Sequence, residues 1–227
     1  MSIKVYSDLV QGSEEWAKVR CGLLTASEMK LVVTPTLKPA RNEKSTAHLY
    51  ELLAQRITGH VEPRYISDDM LRGQEDEILA RALYSERYAP VEEVGFIAND
   101  KWGFTIGFSP DGLVGDDGFI EIKSRRPKYQ VETILSGIVP EEYLIQIQTG
   151  FLVSERKWCD FISYSAGLPM IVITVMPDPV IMKTIEKAAR AFEDRMEELL
   201  KDYSARLIDL APLLTPTERR VEQEIFL

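Results

Sequence analysis

Residues 91–124 hold four short apolar runs separated by turn residues: Val91 to Ile97, Trp102 to Phe108, Asp111 to Val114 and Phe119 to Ser124. Runs of this length and spacing form consecutive strands. Helical periodicity precedes and follows them, so the chain reads as α/β or α+β, with a mixed central β-sheet flanked by helices. At 227 residues and 45% apolar content, a single domain with a sizeable core is expected. It spans residues 1–203, and residues 204–227 form a C-terminal extension of unassigned role.

The third and fourth runs carry charges that a core would not choose. A loop of Gly115, Asp116 and Asp117, with Gly118 supplying a permissive φ at its exit, pairs Leu113 with Phe119 and sets Asp111 opposite Glu121. Opposed residues have Cβ atoms about 4.5–5.5 Å apart, and like charges there destabilise the pair. A divalent cation shared by two hard carboxylates relieves that conflict, and Mg²⁺ or Mn²⁺ suits them. Strand alternation puts Lys123 on the face of Glu121, turns Ile120 and Ile122 inward, and offers the Ile122 carbonyl as a further oxygen ligand. A surface hairpin has the same composition. The order Pro110-Asp111, a Gly/Asp turn, then Glu121-Ile122-Lys123 is narrower and points to a metal-dependent nuclease centre.

Helix signals place the rest. Ser13 caps a short helix to Arg20, and Thr25 to Glu28 has capping-box spacing for a helix towards Val33. A helix from about Thr46 to Gly59 presents Leu49, Leu52, Leu53 and Ile57; one from Asp69 to Tyr88 buries Leu79, Ala82 and Leu83. Tyr129 to Leu135 is helical and Pro140 opens another helix. Lys157 to Ser165 and Met170 to Met176 form a hairpin, and a long helix runs from Asp178 to near Tyr203.

Three groups are candidates to serve the hairpin. Glu75, Asp76 and Glu77 supply carboxylates early in a helix; helical phase does not choose among them, and the helix dipole alone favours such a stretch. Gln146 and Gln148 diverge by about 200° on their helix, so only one enters the site; Gln146 lies one turn before Gly150, where a small residue allows close approach. Arg20 with Thr25 and Ser27 at a helix start suits a terminal phosphate. Lys123, Arg125, Arg126 and Lys128 crowd the exit of the fourth run, and Arg20, Lys30, Lys38, Arg41 and Lys44 punctuate the N-terminal fifth. Each group is either a contact for a nucleic-acid backbone or a solvated face, in a chain of net charge −9.

Other chemistries lack material. Cys21 and Cys159 match no metal spacing, and His48 and His60, expected at helix surfaces or ends, are too few for a zinc site or a Ser-His-Asp triad. No run of 18 apolar residues is present, the polar start at Met1-Ser2-Ile3-Lys4 predicts no signal peptide, and two cysteines without a disulfide framework fit a reducing cytoplasm.

Trp16-Ala17-Lys18-Val19-Arg20, Gly22, Thr25-Ala26-Ser27-Glu28, then Gly73 with Glu77, Ser109-Pro110-Asp111-Gly112, Glu121-Ile122-Lys123 and Gln146-Ile147-Gln148 stand in the order found in another family. The chain resembles the phage lambda-type alkaline exonucleases, viral recombination nucleases of the PD-(D/E)xK, restriction-endonuclease-like fold. The resemblance runs from about Val10 to Phe192. It implies a Mg²⁺-dependent (or Mn²⁺-dependent) 5′ to 3′ exonuclease on linear duplex DNA that releases mononucleotides and leaves a 3′ overhang. It also implies a ring-shaped homotrimer, a single-strand annealing partner, and a bacterial host or phage origin. By motif, Asp111, Glu121 and the Ile122 carbonyl bind metal with Glu77; Lys123 and Gln146 serve the attacking water; Arg20, Ser27 and Ser109 grip the 5′-phosphate. The implied mechanism is two-metal phosphodiester hydrolysis. The alternatives are an endonuclease or other-polarity nuclease of the same fold, and a non-catalytic DNA-binding scaffold.

Overall fold

In the computed structural model, which describes residues 3–63 and 67–219, the strands divide between two four-stranded sheets. The first has the order β1 (Ile3–Tyr6), β3 (Phe96–Asn99), β4 (Ile106–Phe108), β2 (Leu24–Thr25); the second runs β5 (Gly112–Val114), β6 (Gly118–Ser124), β7 (Trp158–Tyr164), β8 (Ile171–Val175). Both are mixed: β4 pairs parallel with β2, and β6 parallel with β7, while the other neighbours are antiparallel. The four expected central strands therefore continue from one sheet into the next, with the break at Ser109 and Pro110.

The helices are α1 (Glu14–Arg20), α2 (Glu43–Thr58), α3 (Asp68–Arg87), α4 (Pro127–Ser136), α5 (Glu141–Ser154) and α6 (Pro179–Asp209). Ser13 accepts the Trp16 N–H and caps α1 as expected. The helix expected from Thr25 is absent. Leu24 and Thr25 pair with Ile106 and Gly107, and the Ala26 N–H donates to Gly107, so sheet pairing claims the backbone that a capping box would need. Only a 3₁₀ turn, Met29–Leu31, follows. Helix α2 buries Leu49, Leu52 and Leu53, but Ile57 is exposed and His48 is buried. Helix α6 runs past Tyr203 to Asp209.

The second sheet is covered on both faces. Leu113, Phe119, Cys159 and Phe161 pack with Ile147 and Phe151 of α5, whereas Val114, Ile120, Ile122 and Ile162 meet Ala80 and Tyr84 of α3. The face of α3 is a correction. Its buried stripe is Asp76, Ala80 and Tyr84; Leu79 and Ala82 are exposed and Leu83 is half-buried. A helix that faces a polar site spends its inner stripe on groups a hydrophobic pattern does not register. Tyr84 donates to Asp160 Oδ2 at 2.6 Å and Thr174 to Oδ1 at 2.6 Å, which satisfies a buried carboxylate on β7, paired with Ile120 of β6. Tyr84→Phe should lower the unfolding free energy by about 1–3 kcal/mol, the cost of stranding a buried charged acceptor; urea denaturation measures it.

Gly118 has a different reason from the one expected. Gly115 takes the positive φ of the turn, at 52°. Gly118 is instead overlain by Trp158, whose ring would stand 2.1 Å from an added Cβ. Among the described residues no helix is long and apolar enough to cross a membrane.

Candidate active site

Leu113 pairs with Phe119 and Gly112 with Ile120, so the hairpin register continues to Asp111 opposite Glu121, as the turn spacing requires. Asp111 Oδ2 accepts the Ile122 N–H at 2.5 Å. Glu121 is buried, at 1% exposure. Its Oε1 accepts from Lys123 Nζ and Gln146 Nε2, each at 2.6 Å, and its Oε2 has no hydrogen-bond partner. Gln148 points elsewhere: its amide donates to the Met176 carbonyl at 2.9 Å and accepts the Asp178 N–H at 2.7 Å. The small residue at 150 is used as expected, because an added Cβ would lie 2.9 Å from both Phe108 and Phe119.

The acidic triplet of α3 also separates. Asp76 Oδ2 accepts from Ser124 at 2.5 Å, and Glu75 is exposed. Glu77 pairs with Arg81 at 2.8 Å and is the member within electrostatic reach of Asp111 and Glu121. Burial, reinforced by the Asp111 charge, pushes its carboxyl up to about 7. Burial likewise pushes Glu121 up to about 7, against the pull of Lys123, and raises Asp111. Burial opposes the Lys123 ammonium, yet Glu121 and Asp111 outweigh it and hold that group above its usual range. Even with Arg81 on Glu77 and Lys123 on Glu121, burial outweighs the cations at all three carboxyls, so the site holds more negative charge than its surroundings favour. Among the described residues no three His, Cys, Asp or Glu side chains form a metal cage by themselves. The oxygens available are those of Asp111 and Glu121, the Ile122 carbonyl, and Glu77 at greater remove.

A second cluster begins two residues upstream. Ser109 Oγ accepts from Arg20 Nη1 at 2.9 Å and from Trp16 Nε1 at 3.1 Å. Arg20 Nη2 reaches Thr25 Oγ1 at 3.4 Å, and that hydroxyl lies 3.3 Å from Ser27 Oγ and donates to Glu28 at 2.9 Å. Arg20 lies over the Trp16 ring, 4.0 Å from its centroid. Arg20 therefore meets Ser109, 89 residues away in sequence, and reaches Ser27 through the Thr25 hydroxyl. The N-terminal hydroxyls sit at a strand end and not at the helix start inferred for them.

Three further contributors carry no site role in the sequence motifs. Trp16 orients both Arg20 and Ser109; its i, i+4 spacing from Arg20 was the available signal. Gln11 donates to the Pro110 carbonyl at 2.9 Å and ties down the chain just before Asp111. Tyr143, one turn before Gln146, sets its ring 5.3 Å from Lys123 Nζ.

The basic group after β6 is divided. Arg125 is buried and bonded to Glu142 at 2.8 Å and to Tyr143 at 2.5 Å, so its side chain braces α5 and leaves the DNA-facing set proposed for it. Arg126 is exposed but paired with Asp69 at 2.7 Å, and Lys128 is exposed beside the Tyr129 ring.

The family model described as YqaJ-like viral recombinase domain matches residues 15–157. An alkaline exonuclease from Laribacter hongkongensis is 35% identical, with a TM-score of 0.78 over 87% of this chain and 100% of that one. The same enzyme in complex with dAMP gives 0.77 at 35% identity, over 89% and 100%. A phage-related exonuclease from Haemophilus somnus 129PT shares the fold at 12% identity, with a TM-score of 0.60 over 80% of this chain and 96% of that one. No curated protein matches. With the family model matching more than half of its length, the chain belongs to the YqaJ-like viral recombinase family of lambda-type alkaline exonucleases, nucleases that act on DNA.

Proposed function

We propose that this protein is a Mg²⁺-dependent 5′ to 3′ exonuclease on linear duplex DNA, releasing mononucleotides and leaving a 3′ overhang for strand annealing. The observation that carries the reading is the continuity of the two clusters: Ser109, bonded to Arg20, stands two residues before Asp111 on one chain segment. A phosphate held by the first cluster is thereby kept in register with the second.

The donor set fits a hard divalent cation. Glu121 has a buried carboxylate oxygen without a partner, and every available ligand atom is oxygen. Asp111, Glu121, the Ile122 carbonyl and Glu77 would hold Mg²⁺, or Mn²⁺ in its place. When bound, such ions supply an activated water and charge stabilisation for in-line phosphodiester displacement, the two-metal scheme. Gln146 positions the water beside Glu121, and protonated Lys123 offsets the charge that builds on the phosphate. Arg20, Ser27 and Ser109 bind the terminal 5′-phosphate, and Arg126 and Lys128 lie on the surface available to the DNA backbone. A ring-shaped homotrimer is the assembly proposed. It would place basic groups towards its channel and the acidic remainder outside, consistent with net charge −9. The proposed partner is a single-strand annealing protein, and the proposed location is the cytoplasm of a bacterial host.

Incubation with duplex labelled at either end tests the polarity. Release of the 5′ label as mononucleotide with the complementary strand intact is expected; cutting of circular DNA would identify an endonuclease instead. Arg20→Ala should slow digestion of 5′-phosphorylated ends roughly 10- to 100-fold, the loss of a bidentate charged contact. Equal slowing on phosphorylated and hydroxyl ends would remove Arg20 from the phosphate pocket.

A further inference from the structure

We propose that a clamp from α2 and α6, made of Gln55, Arg56 and Glu193, sets the enzyme's preference for a 5′-phosphate by fixing the Gly22 turn between Arg20 and Thr25. This rests on the phosphate pocket proposed above. The peptide groups of that turn are held from both sides: Gln55 Oε1 accepts the Gly22 N–H at 2.8 Å, and Arg56 Nε donates to the Gly22 carbonyl at 2.8 Å. Arg56 is itself fixed by a bidentate pair with Glu193, at 2.7 and 2.8 Å, and Glu193 is 5% exposed. A two-pronged contact to a buried carboxylate leaves the guanidinium few alternative positions.

The turn permits no slack. Gly22 has φ of 71°, and an added Cβ would lie 2.6 Å from Arg56 Cγ. Arg20 is the last residue of α1 and Thr25 the last of β2, so the Gly22 turn that joins them sets how the guanidinium meets the Thr25 hydroxyl while it holds Ser109. None of the three clamp residues belongs to the metal-binding or phosphate-binding sets; they are positioning residues. Their effect should fall on recognition of the end and not on hydrolysis itself.

The test measures, for each enzyme, the ratio of initial digestion rates on 5′-phosphorylated and 5′-hydroxyl duplexes. A ratio taken within one preparation is independent of the fraction of folded protein. Arg56→Gln should lower it about tenfold, as expected when a contact residue is misplaced by a fraction of an ångström, with the hydroxyl-end rate within about twofold of wild type once corrected for folded protein. Glu193→Gln, which keeps the shape and removes the charge, should lower it in the same direction. An unchanged ratio in both variants overturns the clamp. Arg20→Ala separates the two ideas: if the wild-type ratio is near one, or Arg20→Ala preserves it, the phosphate pocket fails and the clamp with it. A ratio lost in Arg20→Ala but kept in Arg56→Gln and Glu193→Gln refutes the clamp alone.

Discussion

Lys123→Ala is expected to fold, to bind duplex DNA, and to cleave it roughly 100- to 1,000-fold more slowly, the usual effect of removing one preorganised charge from a transition-state site. Lys123 Nζ stands 2.6 Å from Glu121 Oε1 and faces the Tyr143 ring, so its position is fixed from two directions. With no metal bound, Glu121 and Asp111 hold its ammonium above the usual range. Single-turnover nucleotide release, with DNA binding measured separately, checks the prediction. Cleavage close to wild type would exclude Lys123 from the mechanism.

Asp111→Asn should uncouple stability from activity. Asp111, Glu121 and Glu77 are drawn together, with Lys123 close to Glu121 and Arg81 close to Glu77, and burial raises all three carboxyls. In chelator the substitution removes one of these charges, while the amide oxygen still accepts the Ile122 N–H and Lys123 keeps Glu121. The variant should therefore melt a few degrees above wild type, since about 1 kcal/mol corresponds to roughly 2–4 °C in a chain of this size. Mg²⁺ at about a hundredfold over its dissociation constant should stabilise wild type by about 2.7 kcal/mol. It should do much less for Asp111→Asn, which also loses cleavage. The sign of the pH dependence follows from the same groups. Glu121 titrates at about 7 in the folded chain against an ordinary value of 4.5, so the folded protein holds the proton more tightly. Metal-free stability should then fall as pH rises from about 4.5 through about 7, and more shallowly in Asp111→Asn. Thermal melts across pH with chelator and with Mg²⁺ measure each part. A wild type indifferent to Mg²⁺ and a variant that melts lower in chelator would contradict the charge-excess account.

The hairpin was legible in the sequence because its information is local: a three-residue loop fixes the register, and the register fixes Asp111 opposite Glu121. The choice between Gln146 and Gln148 was legible as an exclusion, since helix geometry separates them. What required the structure was decided at long range. Strand β1 pairs with residues near 99, and β2 with residues near 106, so nothing beside Ile3 or Leu24 announces a strand. The apolar pattern of α3 points to Leu79 and Leu83, yet Asp76, Ala80 and Tyr84 are buried, because Tyr84 answers to Asp160 and Asp76 to Ser124. Arg125 counted as surface charge until Glu142 and Tyr143 drew it inward. His48, expected on a helix surface, is covered within α2, with Nδ1 3.2 Å from Glu51.

As proposed, the Asp111, Glu121 and Lys123 centre hydrolyses the terminal phosphodiester with a divalent cation. Its most direct test is the rate of mononucleotide release from 5′-phosphorylated linear duplex by one preparation, first in chelator and then after Mg²⁺ is restored. No release is expected in chelator and full recovery on adding Mg²⁺; release that proceeds undiminished in chelator would rule out a divalent cation at this centre.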